Sequence, residues 1–250
     1  MNYPGRIIKK GDTDPKVVKA VQKILNEKGC GTIDVDGDFG SQTFNAVKLF
    51  QARFTDQNGN PLVIDGKIGP LSWAALFGKE KVHISEPPKS EMIKNVLKIA
   101  AEQIGVMEDP VGTNSGPEVD EYLECVGLGP GFSWCAAFVY WVYNEACKKS
   151  GSKNCVFKTA GVLSHWNNST GKRITSQNAF ADPSLVKPGQ VFIMSYGGGL
   201  GHTGIVEKVN GGFLTTIEGN TNDGGSREGI GVFRRTGRKI KDINRGFIQY

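Results

Sequence analysis

The sequence predicts an α+β protein of two modules: a small three-helix bundle, then a domain with helices packed on an antiparallel β-sheet. Three observations point there. Apolar residues recur at helical spacing through the first 78 residues, a polar stretch with consecutive prolines interrupts residues 81–91, and from Val186 onward short strands alternate with turns.

The 250 residues suffice for two modest domains, each with its own core. With 38% hydrophobic and 22% charged residues the chain is globular rather than disordered. The net charge of +5 favours an anionic partner without choosing one. The dense basic cluster (Arg234, Arg235, Arg238, Lys239, Lys241) reads as a solvated hairpin edge, so nucleic acid is not expected as a partner. Five cysteines, odd in number and without a CxxC pair, argue against a disulfide framework. No apolar run approaches the ~20 residues that span a bilayer, and the first residues hold no signal-peptide core. The expectation is a protein made in the cytoplasm without membrane insertion.

In the first module, Pro15 to Gly29 reads as a helix, with Asp14 as its cap and Val17, Val18, Val21, Ile24 and Leu25 as its apolar stripe. A second helix, Ser41 to Phe54, is expected to start on a Ser41 cap and presents Phe44, Val47, Phe50 and Gln51 on one face. The turns Val35-Asp36-Gly37-Asp38-Phe39-Gly40 and Ile64-Asp65-Gly66-Lys67-Ile68-Gly69 repeat one pattern, and the second leads into Ser72-Trp73-Ala74-Ala75-Leu76. Asp34, Asp36 and Asp38 lack the register and closing Glu of a calcium loop, so turn chemistry is preferred to metal. Residues 12–77 resemble the three-helix peptidoglycan-binding domain often fused to wall hydrolases, through Val21–Asn26, the paired turns, Ala46–Gln51 and Trp73…Leu76. Since the repeated positions are hydrophobes and glycines, wall binding rests on the resemblance, and a helical spacer would show the same residues. The expected boundaries are residues 1–78, a linker at 79–91, and 92–250.

Beyond the linker, Glu91 to Gly105 reads as an amphipathic helix and Val119 to Cys125 as a short one. The informative stretch is Gly129-Pro130-Gly131-Phe132-Ser133-Trp134-Cys135-Ala136-Ala137-Phe138-Val139, where a glycine-rich loop gives way to an apolar helix at Cys135. Unpaired amides and the helix dipole favour an anion there, which suits a thiolate nucleophile and an oxyanion. The position alone fits a core cysteine equally well. Strands follow at Gln190–Tyr196, His202–Val209, Phe213–Glu218, Gly231–Arg235 and Phe247–Tyr250. His202 opens the second of these after a run of glycines and is the candidate general base. Glu218 and Asn220, two apart on an extended chain, are expected to face it together, one of them orienting the ring and Glu218 the first choice.

The ordered set Cys135, His202, Glu218, Asn220 resembles the cysteine, histidine-dependent amidohydrolase/peptidase (CHAP) domain, a papain-like α+β fold of phage endolysins and bacterial wall hydrolases. Trp134–Val139, Pro188-Gly189, Gly201–Val206, Glu218-Gly219-Asn220 and a stretch upstream from Ile104 through Asn114 to Leu123 carry the likeness. Gln190 departs from it, where the family usually has Asp. The resemblance implies an N-acetylmuramoyl-L-alanine amidase or a cross-bridge endopeptidase, with Asn114 and Trp134 along the substrate cleft. It implies no cofactor and, absent an acidic cluster before Cys135, no metal. The implied partner is bacterial peptidoglycan. A monomer reaching the wall with help from a holin or secretion apparatus, or held in check by an immunity protein, fits this picture, and phage lysin, toxin and housekeeping hydrolase all stay open. Two rivals are an inert wall-targeting protein and a cysteine protease of ordinary proteins.

Overall fold

A computed structural model describes residues 1–56, 59–222 and 229–250. They form two compact units, Met1–His83 with Asn210–Gly212, and Ile84–Val209 with Phe213–Tyr250.

The first unit holds helices α1 (Pro15–Glu27), α2 (Ser41–Arg53) and α3 (Pro70–Phe77). Asp14 caps α1 by accepting from the Val17 amide at 3.2 Å, and Pro15 fills the first turn, where its missing N–H costs nothing. Ser41 is not a cap. Gly40 takes that position with no side-chain bond, and the Ser41 hydroxyl instead accepts from Lys10 Nζ at 2.9 Å. Val18, Val21, Leu25, Val47, Phe50 and Trp73 are fully buried. The repeated turns are tied down by a repeated clasp. Gln22 Nε2 donates to Asp36 Oδ1 (2.7 Å), the Asp38 carbonyl (3.0 Å) and Thr43 Oγ1 (3.1 Å), while its Oε1 accepts from the Gly37 amide. Gln51 does the same with Asp65, the Lys67 carbonyl, Ser72 and the Gly66 amide. Each pair of positions (22 and 51, 36 and 65, 38 and 67, 43 and 72) is 29 residues apart. The Asp36 carboxylate is thus spent on its own turn.

The second unit contains α4 (Glu91–Glu102), α5 (Pro117–Cys125), α6 (Cys135–Ser150), α7 (Val162–Asn168) and α8 (Ser176–Ala181). Its strands are β1 (Lys172–Thr175), β2 (Val191–Gly197), β3 (Leu200–Asn210), β4 (Phe213–Thr221), β5 (Gly231–Lys239) and β6 (Gly246–Gln249). They form one six-stranded sheet in the order β1-β6-β2-β3-β4-β5. The β1–β6, β6–β2, β2–β3 and β4–β5 ladders are antiparallel. Strand alternation covers both faces. Val191, Ile193, Ile205, Ile217 and Ile248 join α4, α5 and α6 in the main core, whereas Phe192, Val206, Leu214 and Phe247 face a second cluster with Ala179 of α8. All five cysteines are free thiols. Among the described residues no helix is long and apolar enough to cross a membrane.

Candidate active site

Helix α6 begins at Cys135. Trp134 is its N-cap residue, and no side chain caps the first turn. The first helical bond runs from the Phe138 amide to the Trp134 carbonyl (2.8 Å), which leaves the preceding amides without helical acceptors. The helix start can approach β4 because residue 219 is glycine. A Cβ there would stand 2.6 Å from Trp134 Cζ3 and 2.7 Å from Phe138 Cγ. On β3, Gly204 performs the same service for Glu218, since its Cβ would lie 2.7 Å from Glu218 Cγ.

His202, paired with Met194 across β2 and β3, points one ring nitrogen at Glu218, with Nε2 2.8 Å from Oε2. The ring also interacts with the Cys135 side chain, which lines the same cavity. Glu218 is fully buried and accepts further bonds from Thr216 Oγ1 and from Arg238, whose Nε and Nη2 each lie 2.6 Å from a carboxylate oxygen. The Arg238 guanidinium also stacks on Phe192, 5.1 Å from the ring centroid. Burial opposes the charged form of His202, but its bonds to Cys135 and Glu218 prevail and raise its pKa to about 9. Burial likewise opposes ionisation of Glu218, yet His202 and Arg238 hold the carboxyl at about 2. At neutral pH the pair is therefore an imidazolium on a carboxylate, braced by a guanidinium.

These groups open on a cavity of about 320 Å³. Its walls are Ser133 and Cys135 at the helix start, Tyr196, Leu200, Gly201 and His202 of β2 and β3, Asn220 and Thr221 of β4, and Arg235 and Arg238 of β5. The structure thus brings Cys135, His202 and Glu218 into direct contact and places Asn220 on the wall. Asn220 does not bond to His202 alongside Glu218. The β4–β5 register slips between Glu218 and Thr221, Asn220 adopts a left-handed φ of 52°, and its Nδ2 donates to Asn114 Oδ1 at 2.7 Å. Asn114, also left-handed at φ 52°, accepts from the Gly131 amide and so ties the loop before Cys135 to the end of β4.

Trp134 is not a cleft residue. It is fully buried, and its indole N–H donates to the buried Glu108 at 2.9 Å. Cys135 itself is only 4% exposed, reached through the cavity rather than from open solvent. The basic cluster is not simply a solvated edge, because Arg238 belongs to the site. Gly237, at φ 81°, forms a bulge in β5, so that Arg238 opposite Leu214 and Arg235 opposite Thr216 share one face of the sheet. Without the bulge, two residues three apart would point to opposite faces. His165 offers a contrast to His202. Buried in α7 against the Tyr250 hydroxyl (2.6 Å), it is pushed down to about 4 by burial and stays neutral.

The fold and this cavity define an α+β domain of the papain-like type, with thiol, imidazole and carboxylate in one line of contact. Residues 127–220 match the CHAP domain family model, and residues 15–76 match that of the peptidoglycan binding domain. The chain carries a CHAP domain behind an N-terminal peptidoglycan-binding domain, the layout of a peptidoglycan hydrolase. Arg235 and Arg238 lie beyond the matched segment and Asn114 lies before it. No solved structure matches the chain significantly.

Proposed function

We propose that the protein hydrolyses an amide bond of the peptidoglycan stem peptide with Cys135 as nucleophile, either at the N-acetylmuramoyl-L-alanine junction or in a peptide cross-bridge. The observation that carries this reading is the imidazole of His202, held by buried Glu218 on one side and in contact with the Cys135 thiol on the other. An imidazolium beside sulfur favours the thiolate, and Arg238 and Glu218 balance each other's charge behind it. The thiolate attacks the carbonyl carbon, and the unpaired amides at the start of α6 stabilise the oxyanion. His202 then gives its proton to the leaving amine, which departs as the C–N bond breaks and leaves a thioester on Cys135. The neutral imidazole deprotonates a water, which attacks the thioester. The acid product leaves and the thiolate–imidazolium pair is restored.

Of the two bonds, the N-acetylmuramoyl-L-alanine amide is the one to test first. On this reading the N-terminal domain, boundaries 1–78, holds the wall while residues 92–250 cut it. Cys135→Ala abolishes lysis of purified walls, and iodoacetamide inactivates the wild type by alkylating Cys135 before the other four thiols. Inactivation that tracks labelling of Cys125 or Cys155 would overturn the assignment.

A further inference from the structure

Strand β5 carries three arginines in a short span, and their partners differ in kind. Arg234 is met fork to fork by Glu207, Nε to Oε2 at 2.8 Å and Nη2 to Oε1 at 2.9 Å. Arg238 is met in the same way by Glu218. Arg235 has no carboxylate partner among the described residues. Its Nη1 donates to the Asn222 carbonyl at 2.7 Å and to Thr221 Oγ1 at 3.3 Å, both neutral acceptors at the end of β4. They fix the guanidinium in place, and no carboxylate among the described residues meets its charge.

That charge lies on the wall of the candidate active-site cavity. Arg235, paired with Thr216, is on the face of Glu218, to which the bulge at Gly237 also brings Arg238, and its side chain lines the same cavity as Cys135 and His202. The charge of Arg238 is met there by Glu218. Arg235 is the arginine of the wall that no carboxylate meets among the described residues. A planar guanidinium, half-buried and already oriented, is the group best suited to take a carboxylate bidentately.

We propose that Arg235 is a carboxylate-binding subsite, so that the enzyme acts on stem peptides whose carboxylates are free in preference to those in which they are amidated. The proposal rests on the peptidoglycan reading above and adds to it the ionic character of the substrate. Arg235 receives the anion through the N–H groups not used on Asn222 and Thr221. It is a specificity residue and does not touch the reacting atoms.

The test uses the full chain and one defined muropeptide in two forms, with its stem carboxylates free and with them converted to primary amides. The wild type is expected to show a kcat/KM about 10- to 100-fold higher on the acid form, the range a charge-assisted bidentate pair supplies. This preference shrinks as salt rises. Arg235→Gln raises KM on the acid form and reduces the preference to about threefold or less, with the basic limb of the pH–rate profile unmoved, while Arg235→Lys keeps part of the preference. If the glutamine variant does not fold, the wild-type preference and its salt dependence decide alone. Equal wild-type rates on both forms would overturn the subsite while leaving amide hydrolysis intact. So would an Arg235→Gln loss equal on both forms, which would make Arg235 a strut for Thr221 and Asn222. Hydrolysis of neither form would overturn the peptidoglycan reading itself.

Discussion

Replacing Arg238 with Met keeps most of the volume over Phe192 and removes both 2.6 Å bonds to Glu218. Glu218 is fully buried and the Arg238 side chain is 15% exposed, so this pair is screened far less than a surface one. Removing one partner of a buried pair costs about 3–5 kcal/mol. Glu218 keeps Thr216 and His202, which places the expected loss near the lower end, about 3 kcal/mol. For a domain of this size that lowers Tm by roughly 6–12 °C. The loss has a pH signature. Despite burial, the wild-type carboxyl is held at about 2 against an ordinary 4.5, so its contribution is complete above pH 4.5 and disappears as pH falls toward 2. Without Arg238, burial raises the folded value, and the gap between variant and wild type should be wide at pH 7 and narrow below pH 4. Calorimetric melts of both proteins from pH 3 to 8, with muropeptide turnover measured in parallel, test this, and turnover should fall about tenfold as Glu218 loses its brace. A Tm within about 1 °C of wild type at pH 7, or an offset constant across pH, would refute the reasoning.

Glu218→Gln removes a charge that helps raise His202 to about 9 against its burial, so the basic limb of the pH–rate profile should move down. The stability gained from His202, complete below pH 6.5 and lost through pH 9 in the wild type, should shrink in the same variant, and an unmoved limb would remove Glu218 from its role. Gly219→Ala drives a methyl into Trp134 and Phe138, and should cost roughly 1–3 kcal/mol by thermal melt and slow turnover through a displaced α6 start. A chain beginning at Ile84 should hydrolyse soluble muropeptides at near the full rate but clear intact walls more slowly, because tethering raises local substrate concentration without changing the chemistry. Equal clearing of walls would reduce the N-terminal unit to a spacer.

Much of this fold is written locally. The Cys135 helix start is legible because a glycine-rich loop meets a long apolar run, and the later strands because Val, Ile and Phe alternate. What the sequence hides is mostly decided by bulges. Period-two reasoning puts Asn220 beside Glu218, but the slip after Glu218 turns it to Asn114. It also separates Arg235 from Arg238, which the extra residue at Gly237 brings to one face. Trp134 misleads through adjacency, since the residue before the proposed nucleophile points its indole at a buried Glu108. The segments α7, β1 and α8 are short and polar, with boundaries set by tertiary contact rather than local pattern. In the first unit the twin turns are visible as letters. The glutamines that clasp them are not, because a buried amide and an exposed one look alike until their partners are placed.

The central claim, amide hydrolysis by Cys135, is tested most directly by mass spectrometry of purified peptidoglycan digested with wild type and with Cys135→Ala. The wild type should release fragments with new amine and carboxyl ends and no new reducing sugar, a free N-terminal L-alanine marking the amidase and a cross-bridge amine the endopeptidase. The variant should release neither. New reducing ends, or the same amide products from the variant, would contradict the account.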